Sequence, residues 1–350
     1  MTALPRLMSL ATAVPPFLLD QSEVAARARD IFPARGSEIA RLLPVFENAG
    51  IETRYSCVPL DWYTAPAGWK DRNGLYLENA LVLIERATED CLERAGVEAG
   101  EVDTIVAVST SGLATPSLDA RLMERLPFRR DLHRLPVFGL GCAGGVLGLA
   151  RAAAMARAAP GSRVLFLVVE LCGLTFRAGD HSKSNIIAAA LFGDGAAAAL
   201  ITCDPEEEGP GLPAWGEMTW PQSLDVMGWR VEDDGLGVLF SKDIPTIVRE
   251  RFGDAADAFL ADQGLDRGDI DGMICHPGGA KVLDALEEVF GLPPGTMGDA
   301  RDVLRRYGNM SAATVMFVLE RALADAPPGR YLVSSLGPGF TAGFLLLEAP

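Results

Sequence analysis

The two halves of the chain resemble each other at a constant offset, and this internal repeat restricts the folds that the chain can adopt. Residues 101–108 resemble residues 269–276, and residues 159–165 resemble residues 327–333, both pairs lying 168 positions apart. Each half follows the pattern of a strand, a helix, a strand and a glycine turn into a further strand. Two such units stacked about a pseudo-twofold axis would bury both sheets between helices. We therefore predict an α/β fold made of two duplicated halves.

The repeat also indicates where the halves meet. Residues 192–196 resemble residues 336–340 at the shorter offset of 144, so the first half carries about 24 additional residues before this motif. Residues 203–235 are rich in Gly, Pro and acidic side chains, which favours a connection over the surface. We predict a first half over 1–202 and a second half over 203–350.

Cys142 is the first candidate for a catalytic residue. It lies between a strand-like apolar run and a long Ala-rich helix, in the glycine-rich segment 136–145. The positive end of a helix dipole favours the thiolate, which is the form that attacks a carbonyl carbon. The surrounding glycines leave backbone N–H groups free for a developing oxyanion. The pattern predicts a nucleophile.

The repeat adds two candidates from the second half. His276 ends the strand that matches 101–108, and Asn309 aligns with Gly141, next to Cys142. In a pseudo-twofold fold both side chains would point into one central site facing Cys142. The alternatives are a structural histidine and a helix N-cap, although a cap and an oxyanion donor can occupy the same turn. Cys275 is a rival nucleophile, but strand alternation directs it into the core.

Two other chemistries fit the residues less well. His133 and His181 are predicted to be solvated, and no histidine has the spacing of a zinc ligand. The segment from Gly139 to Gly144 matches GxGxxG, and Glu170 ends the next predicted strand, as a dinucleotide site requires. The mid-chain position of this segment and the cysteine inside it, which would crowd a pyrophosphate, argue against a nicotinamide cofactor.

Charge and composition restrict the partners. The net charge is −16 and the pI is about 4.7, so the surface repels nucleic acid and anionic membrane. An anionic CoA thioester would need a local basic patch against that field. No apolar run reaches the ~18 residues of a membrane span, and the N-terminal segment fits a first buried strand better than a signal peptide. The six cysteines form no CxxC pair, which indicates reduced thiols in the cytoplasm.

The motifs, taken in order, resemble those of the chalcone and stilbene synthase family, the type III polyketide synthases. They are Gly141-Cys142-Ala-Gly-Gly, Thr175-Phe-Arg, Leu191-Phe-Gly-Asp-Gly-Ala196, His276-Pro-Gly-Gly, Tyr307-Gly-Asn309-Met-Ser and Leu336-Gly-Pro-Gly-Phe. The resemblance runs from about residue 5 to residue 348. It implies a thiolase-like αβαβα fold, a homodimer, and a Cys-His-Asn site without a metal or organic cofactor. Cys142, His276 and Asn309 match the three catalytic positions one by one.

The resemblance also implies a reaction. His276 would hold Cys142 as a thiolate in an ion pair, ready to take an acyl group from a CoA starter. Malonyl-CoA would then lose CO2, and His276 and Asn309 would stabilise the enolate. The enolate attacks the Cys142 thioester, and repetition builds a polyketide that cyclises.

Further positions are assigned by the resemblance alone. Phe192 matches a gatekeeping phenylalanine, and the second gatekeeper aligns with Val238, so a wider gate is expected. Arg54 and Lys281 are candidates for contacts to the CoA phosphates, with ordinary surface charge as the alternative. The remaining matches to cavity or turn positions are Thr115, Cys172, Thr175 and Gly339.

The expected product follows from residues 224–238, which resemble bacterial members that take fatty acyl starters. We therefore expect alkylpyrones or alkylresorcinols rather than chalcones. One alternative is a β-ketoacyl carrier-protein synthase of the third type. In that class the histidine is usually followed by Gln-Ala-Asn, whereas Pro-Gly-Gly follows His276 here. A second alternative is an inactive partner that binds acyl-CoA.

Overall fold

Two mixed β-sheets organise the chain in the computed structural model, which describes residues 4–32, 42–65 and 67–350. The strands are β1 (Arg6–Ala13), β2 (Phe17–Asp20), β3 (Thr53–Ser56), β4 (Thr104–Val108), β5 (His133–Val137), β6 (Arg163–Leu171), β7 (Asp194–Thr202), β8 (Trp215–Thr219), β9 (Met227–Glu232), β10 (Gly235–Phe240), β11 (Gly272–Cys275), β12 (Gly329–Gly337) and β13 (Thr341–Ala349). The α-helices are α1 (Gln21–Ile31), α2 (Val45–Asn48), α3 (Trp69–Ala95), α4 (Leu118–Leu122), α5 (Gly144–Ala158), α6 (Lys183–Leu191), α7 (Ile244–Ile247), α8 (Gly253–Asp262), α9 (Ala280–Val289), α10 (Gly298–Tyr307) and α11 (Thr314–Asp325).

Both sheets contain the same arrangement of three strands, one parallel pair followed by one antiparallel pair. The five-stranded sheet has the order β1-β7-β6-β4-β5, and the four-stranded sheet has the order β11-β12-β13-β8. In the first, β4 runs parallel to β6, which pairs antiparallel with β7. In the second, β11 runs parallel to β12, which pairs antiparallel with β13. Thr104 and Gly272 open the matching strands β4 and β11 at the predicted offset of 168. The predicted α/β fold of two similar halves is confirmed.

The central layer consists of α5 and α11. Helix α5 contacts β4 and β6 on one side and β12 and β13 on the other. Because both of its sides are covered, its sequence is small and apolar nearly all round. Helix α3 packs on the outer face of the first sheet, and α8 packs on the outer side of the second, where Phe259 stacks on Phe344. The result is the αβαβα layering that was expected.

The first half carries its additional residues between β6 and β7. There the chain forms a 3₁₀ turn over Cys172–Thr175 and then helix α6. In the second half β12 passes through a short glycine turn directly into β13. The additional segment therefore lies at the ends of the strands, next to the candidate site, and forms part of the wall of a pocket there.

One prediction about the connection between the halves is wrong. Residues 203–235 do not only cross the surface, because they supply β8, an edge strand of the second sheet. Leu212 is fully buried, and Gly211 bridges Arg6 and Glu348. The polar composition reflects the exposed side chains of this segment. Its backbone can still form hydrogen bonds with the free edge of β13, because strand pairing does not depend on the side chains being apolar.

The N-terminal segment forms a strand, as predicted. Strand β1 pairs antiparallel with β7 and buries Leu7, Leu10 and Ala11. Within the described ranges, every helix is too short or too polar to cross a membrane.

Candidate active site

Cys142 lies in a 3₁₀ turn over Gly141–Ala143 that leads directly into α5. Gly141 has a φ of +46°, and a Cβ there would lie 2.6 Å from the ring of Pro338. Its N–H donates to the Thr110 hydroxyl at 3.2 Å. The glycine turn of the second half therefore packs against the loop that carries the thiol. Of the six cysteines, Cys142 alone is not fully buried.

Ser311 forms a hydrogen bond with the thiol. The Cys142 Sγ lies 3.6 Å from the Ser311 Oγ, at the start of a 3₁₀ turn that precedes α11. Ser311 has a φ of +49°, a left-handed conformation that is uncommon outside glycine. The Asn309 Oδ1 holds it there by accepting the Ser311 N–H at 2.8 Å. Ser311 was not predicted to be a site residue, although it belongs to the Tyr307-Gly-Asn-Met-Ser motif.

Asn309 connects the thiol to the histidine loop. Its side chain lies close to the Cys142 thiol; burial raises the pKa of this thiol, and Asn309 opposes that shift slightly. Its Nδ2 donates to the Gly278 carbonyl oxygen at 3.2 Å, two residues after His276. The carboxamide is buried, so this contact fixes its orientation.

His276 follows the last residue of β11, and its N–H donates to the Ser334 carbonyl oxygen at 2.9 Å. The residue is 4% exposed, and within the described chain neither ring nitrogen has a hydrogen-bond partner. Unpaired buried polar groups are rare because they are costly. An imidazole held in this state is free to bond a substrate or to accept a proton.

Burial acts against the expected thiolate–imidazolium ion pair. It raises the pKa of Cys142 to about 11, and the nearby Glu170 carboxylate adds to this effect. Burial lowers the pKa of His276 to about 3. The hydrogen bond to Ser311 and the smaller effect of Asn309 favour the thiolate and oppose desolvation. The ion pair stays a prediction.

A buried carboxyl lies beneath this site. The Glu170 Oε2 accepts the backbone N–H groups of Thr110 at 3.1 Å and Ser111 at 2.9 Å. Burial raises its pKa to about 7. In the sequence, Glu170 is a candidate only as the acid of a dinucleotide site. That alternative fails, because Gly141, the glycine that would have to face the pyrophosphate, packs against the ring of Pro338.

An apolar pocket adjoins the site on the side of α6. It is partly open to solvent, and Cys142, His276 and Asn309 are not among the residues that line it. Four of the predicted pocket residues line it, together with apolar side chains from α1 and its neighbours: Cys172, Thr175, Phe192, Val238, Val24, Ile31, Phe32, Phe46 and Phe176. Trp229 on β9 pairs with Val238 on β10 and packs edge-on against Phe192, with ring centroids 6.0 Å apart.

Other predicted residues lie elsewhere. Thr115 is exposed and does not line this pocket, because its loop turns outward before α4; Thr110 is the threonine beside the Cys142 loop. Arg54 is buried, and its guanidinium donates to backbone carbonyl oxygens around α6, so it does not meet the CoA phosphates from solvent. Lys281 is exposed in the first turn of α9. Gly339 has a φ of +91°, and its carbonyl oxygen accepts the Ser223 hydroxyl at 2.7 Å.

The other histidines are exposed, as predicted, and within the described residues no group of three or more His, Cys, Asp or Glu side chains could hold a metal ion. The structure thus brings Cys142, Asn309 and the His276 loop together from both halves. Their catalytic roles stay predictions.

The five-layered duplicated fold, with a cysteine at the start of one central helix, defines the thiolase-like class. The family model described as chalcone and stilbene synthases, N-terminal domain, matches residues 59–205, and the corresponding C-terminal model matches residues 216–348. This chain belongs to that family, the type III polyketide synthases. Its members are acyltransferases that use CoA thioesters and need no further cofactor.

Individual relatives agree with this assignment. The 1,3,6,8-tetrahydroxynaphthalene synthase of Streptomyces peucetius subsp. caesius is 38% identical, over 96% of this chain and 91% of the relative. The alpha-pyrone synthesis polyketide synthase-like Pks18 of Mycobacterium tuberculosis is 28% identical, over 97% and 90%. The crystal structure of 1,3,6,8-tetrahydroxynaphthalene synthase from Streptomyces coelicolor A3(2) superposes with a TM-score of 0.92 at 28% identity, covering 98% of this chain and 99% of that chain.

Proposed function

We propose that this polyketide synthase loads a fatty acyl starter from CoA onto Cys142, extends it with malonyl-CoA and cyclises the product to an alkylpyrone or alkylresorcinol. The observation that carries the proposal is the convergence of three groups. The Cys142 thiol at the start of α5 contacts Ser311 and Asn309, and Asn309 in turn contacts the loop of the unpartnered His276.

In the loading step His276 acts as a general base. A ring nitrogen of His276 accepts the thiol proton as the Cys142 Sγ attacks the carbonyl carbon of the acyl-CoA. The tetrahedral intermediate collapses with cleavage of the bond to the CoA sulfur. The leaving thiolate takes the proton from His276, so free CoA departs and an acyl thioester remains.

In the extension step malonyl-CoA occupies the same centre. The bond between its carboxylate and the α-carbon breaks, CO2 leaves, and the electron pair remains as an enolate. The Asn309 Nδ2 and the N–H of the His276 ring donate to the enolate oxygen, and each donor contributes about 2–4 kcal/mol to the barrier reduction. The enolate carbon attacks the Cys142 thioester, which releases the sulfur and yields a β-ketoacyl-CoA.

The apolar pocket supports a fatty acyl starter. Apart from Arg27 and Arg54, its walls are mainly aliphatic and aromatic, and they include Val238, which the family resemblance aligns with the second gatekeeper. Each methylene buried there would contribute about 0.8 kcal/mol to binding. The name of the mycobacterial relative refers to α-pyrone synthesis. The two tetrahydroxynaphthalene synthases are named for a different, aromatic product, so the pocket rather than the relatives is the basis for this choice.

A homodimer and a cytoplasmic location complete the proposal. Strand β5 is the edge of the first sheet, and Leu135 on it and Phe138 beside it are exposed. An uncovered edge with apolar side chains is a surface on which a second copy can pair.

Two further predictions are kept as part of the proposal. Residues 1–202 and 203–350 are the two halves of the chain. Lys281 is a candidate for a contact to the CoA phosphates.

The test is incubation of the purified protein with malonyl-CoA and a series of acyl-CoAs of increasing length, with products identified by mass. We expect release of CoA and CO2 and pyrone or resorcinol masses that follow the starter. A requirement for acyl carrier protein in place of free CoA would favour the carrier-protein synthase. Absence of CoA release with every starter would favour an inactive acyl-CoA-binding partner.

A further inference from the structure

Arg54, which the sequence suggested as a CoA contact, occupies an unusual environment. The residue is 4% exposed, on the short strand β3. Among the described residues it forms no ion pair, and its guanidinium donates only to neutral oxygens. Its Nη1 donates to the carbonyl oxygens of Ala189 and Phe192, both at 2.8 Å. Its Nη2 donates to Ala190 O and to Gln21 Oε1.

These acceptors form the C-terminal end of α6. The last carbonyl groups of a helix have no partner within the helix, and the negative end of its dipole favours a cation. Arg54 satisfies two of these carbonyls and that of Phe192, the residue after the helix. The Gln21 Nε2 donates to Ala190 O at 3.1 Å and to Phe46 O at 2.9 Å, which fixes the amide that receives Arg54.

The same helix end is joined to Asn309. The Asn309 N–H donates to Leu191 O at 2.8 Å, and the Gly193 N–H donates to Asn309 O at 3.0 Å. The backbones are so close that a Cβ at Gly308, whose φ is +68°, would lie 2.9 Å from Leu191 O. A displacement of the helix end is therefore transmitted to Asn309 through two hydrogen bonds.

We propose that Arg54 is a positioning residue that sets two functional groups at once. By capping α6 it holds Phe192 at the pocket wall and keeps the Asn309 carboxamide beside Cys142. The inference rests on the proposed function, because it assigns Phe192 to starter selection and Asn309 to enolate stabilisation. Arg54 also lines the edge of the apolar pocket, but its guanidinium is bonded to the end of α6 and to Gln21, so we assign it to positioning and not to the chemistry.

The test compares Arg54→Met with Arg157→Met in the full-length protein. Arg157 is a matched control, because it also donates to backbone carbonyls, those of Leu212 and Pro213, and covers the ring of Trp215. It lies near the far end of α5, about 20 Å along the helix from Cys142. Loss of an arginine that donates to backbone carbonyls is thus common to both variants, although Arg157 is only half-buried, whereas the connection to Phe192 and Asn309 is particular to Arg54.

Three measurements are made: malonyl-CoA decarboxylation, the starter-length profile, and amide hydrogen exchange in peptides that contain Gly193 and Asn309. For Arg54→Met we expect kcat for decarboxylation to fall by about 10- to 100-fold with little change in KM, because small displacements of a stabilising group have effects of that size. We also expect an altered starter profile and faster exchange in both peptides. Arg157→Met should change none of the three.

Wild-type rates and wild-type exchange in folded Arg54→Met would overturn the inference. If that variant does not fold, Gln21→Leu replaces it, since it removes one partner of Arg54 while leaving the charge, and the same shifts are expected at smaller size. Unaltered exchange and decarboxylation in Gln21→Leu would likewise overturn the inference. A wild-type protein that releases no CoA would refute the proposed function, whereas the exchange measurement would still decide whether Arg54 holds the loop.

Discussion

Replacing Val238 with phenylalanine should shift the enzyme toward short starters. Val238 lines the apolar pocket from β10 and pairs with Trp229, whose ring packs against Phe192. The new side chain adds roughly four carbon atoms, so about four methylene groups of a long acyl chain lose their site. At about 0.8 kcal/mol for each methylene the loss is about 3 kcal/mol, or roughly 200-fold in kcat/KM for the long starter.

The assay is a competition in which one long and one short acyl-CoA are incubated together with malonyl-CoA. The ratio of their products, read by mass, gives the ratio of the two kcat/KM values. Leu239→Phe is the control, since the neighbouring side chain on the same strand points to the opposite face and does not line the pocket. An equal product ratio in Val238→Phe and Leu239→Phe would refute the argument that this wall limits starter length.

Three further predictions concern the centre itself. Cys142→Ala should abolish chain extension while malonyl-CoA decarboxylation persists, and polyketide formation at the wild-type rate would exclude this residue as the nucleophile. Iodoacetamide labelling of Cys142 should rise about tenfold per pH unit between pH 7 and 10, because a thiol with a pKa of about 11 remains protonated there; a rate independent of pH would restore the ion pair with His276. Burial raises the folded-state pKa of Glu170 to about 7 from an ordinary 4.5. Its contribution to stability is therefore complete below about pH 4.5 and lost as the pH rises toward 7, so Glu170→Gln should melt with a weaker pH dependence across this window. Equal slopes for the two proteins would show that Glu170 is ionised in the folded state.

The desolvation of Cys142 has a consequence for the proposed mechanism. A preformed thiolate would attack any electrophile that enters, whereas a thiol whose pKa is raised by burial reacts only when a base accepts its proton during attack on a bound acyl group. Acyl loading then depends on the position of the substrate carbonyl relative to Cys142 and His276. This dependence makes the groups that fix the loops, such as Asn309 and Arg54, as important as the nucleophile.

The sequence by itself determined the duplicated frame and the three residues at its centre. A repeat at one fixed offset places equivalent strand ends and helix starts opposite each other, and Cys142, His276 and Asn309 occupy those positions. Apolar periodicity and glycine turns are local properties of the chain, so they can be read without knowing which segments meet. Phe192, Val238, Cys172 and Thr175, which the family resemblance assigned to the cavity, line one pocket, whereas Thr115, assigned in the same way, does not.

Only the tertiary structure decided the surroundings of individual side chains and the direction in which burial shifts their pKa values. Nothing in the sequence distinguishes Arg54 from an arginine on the surface. It caps a helix in the interior only because the end of α6, more than 130 positions later, packs against it. Thr115 turned outward while Thr110 turned inward, although both are threonines of one loop. Protonation of Cys142 and His276 follows from desolvation, which depends on everything packed around a group. None of these outcomes can be read from the residue type or its neighbours in sequence, because the burial of a side chain depends on which helices and strands pack around it in the folded protein.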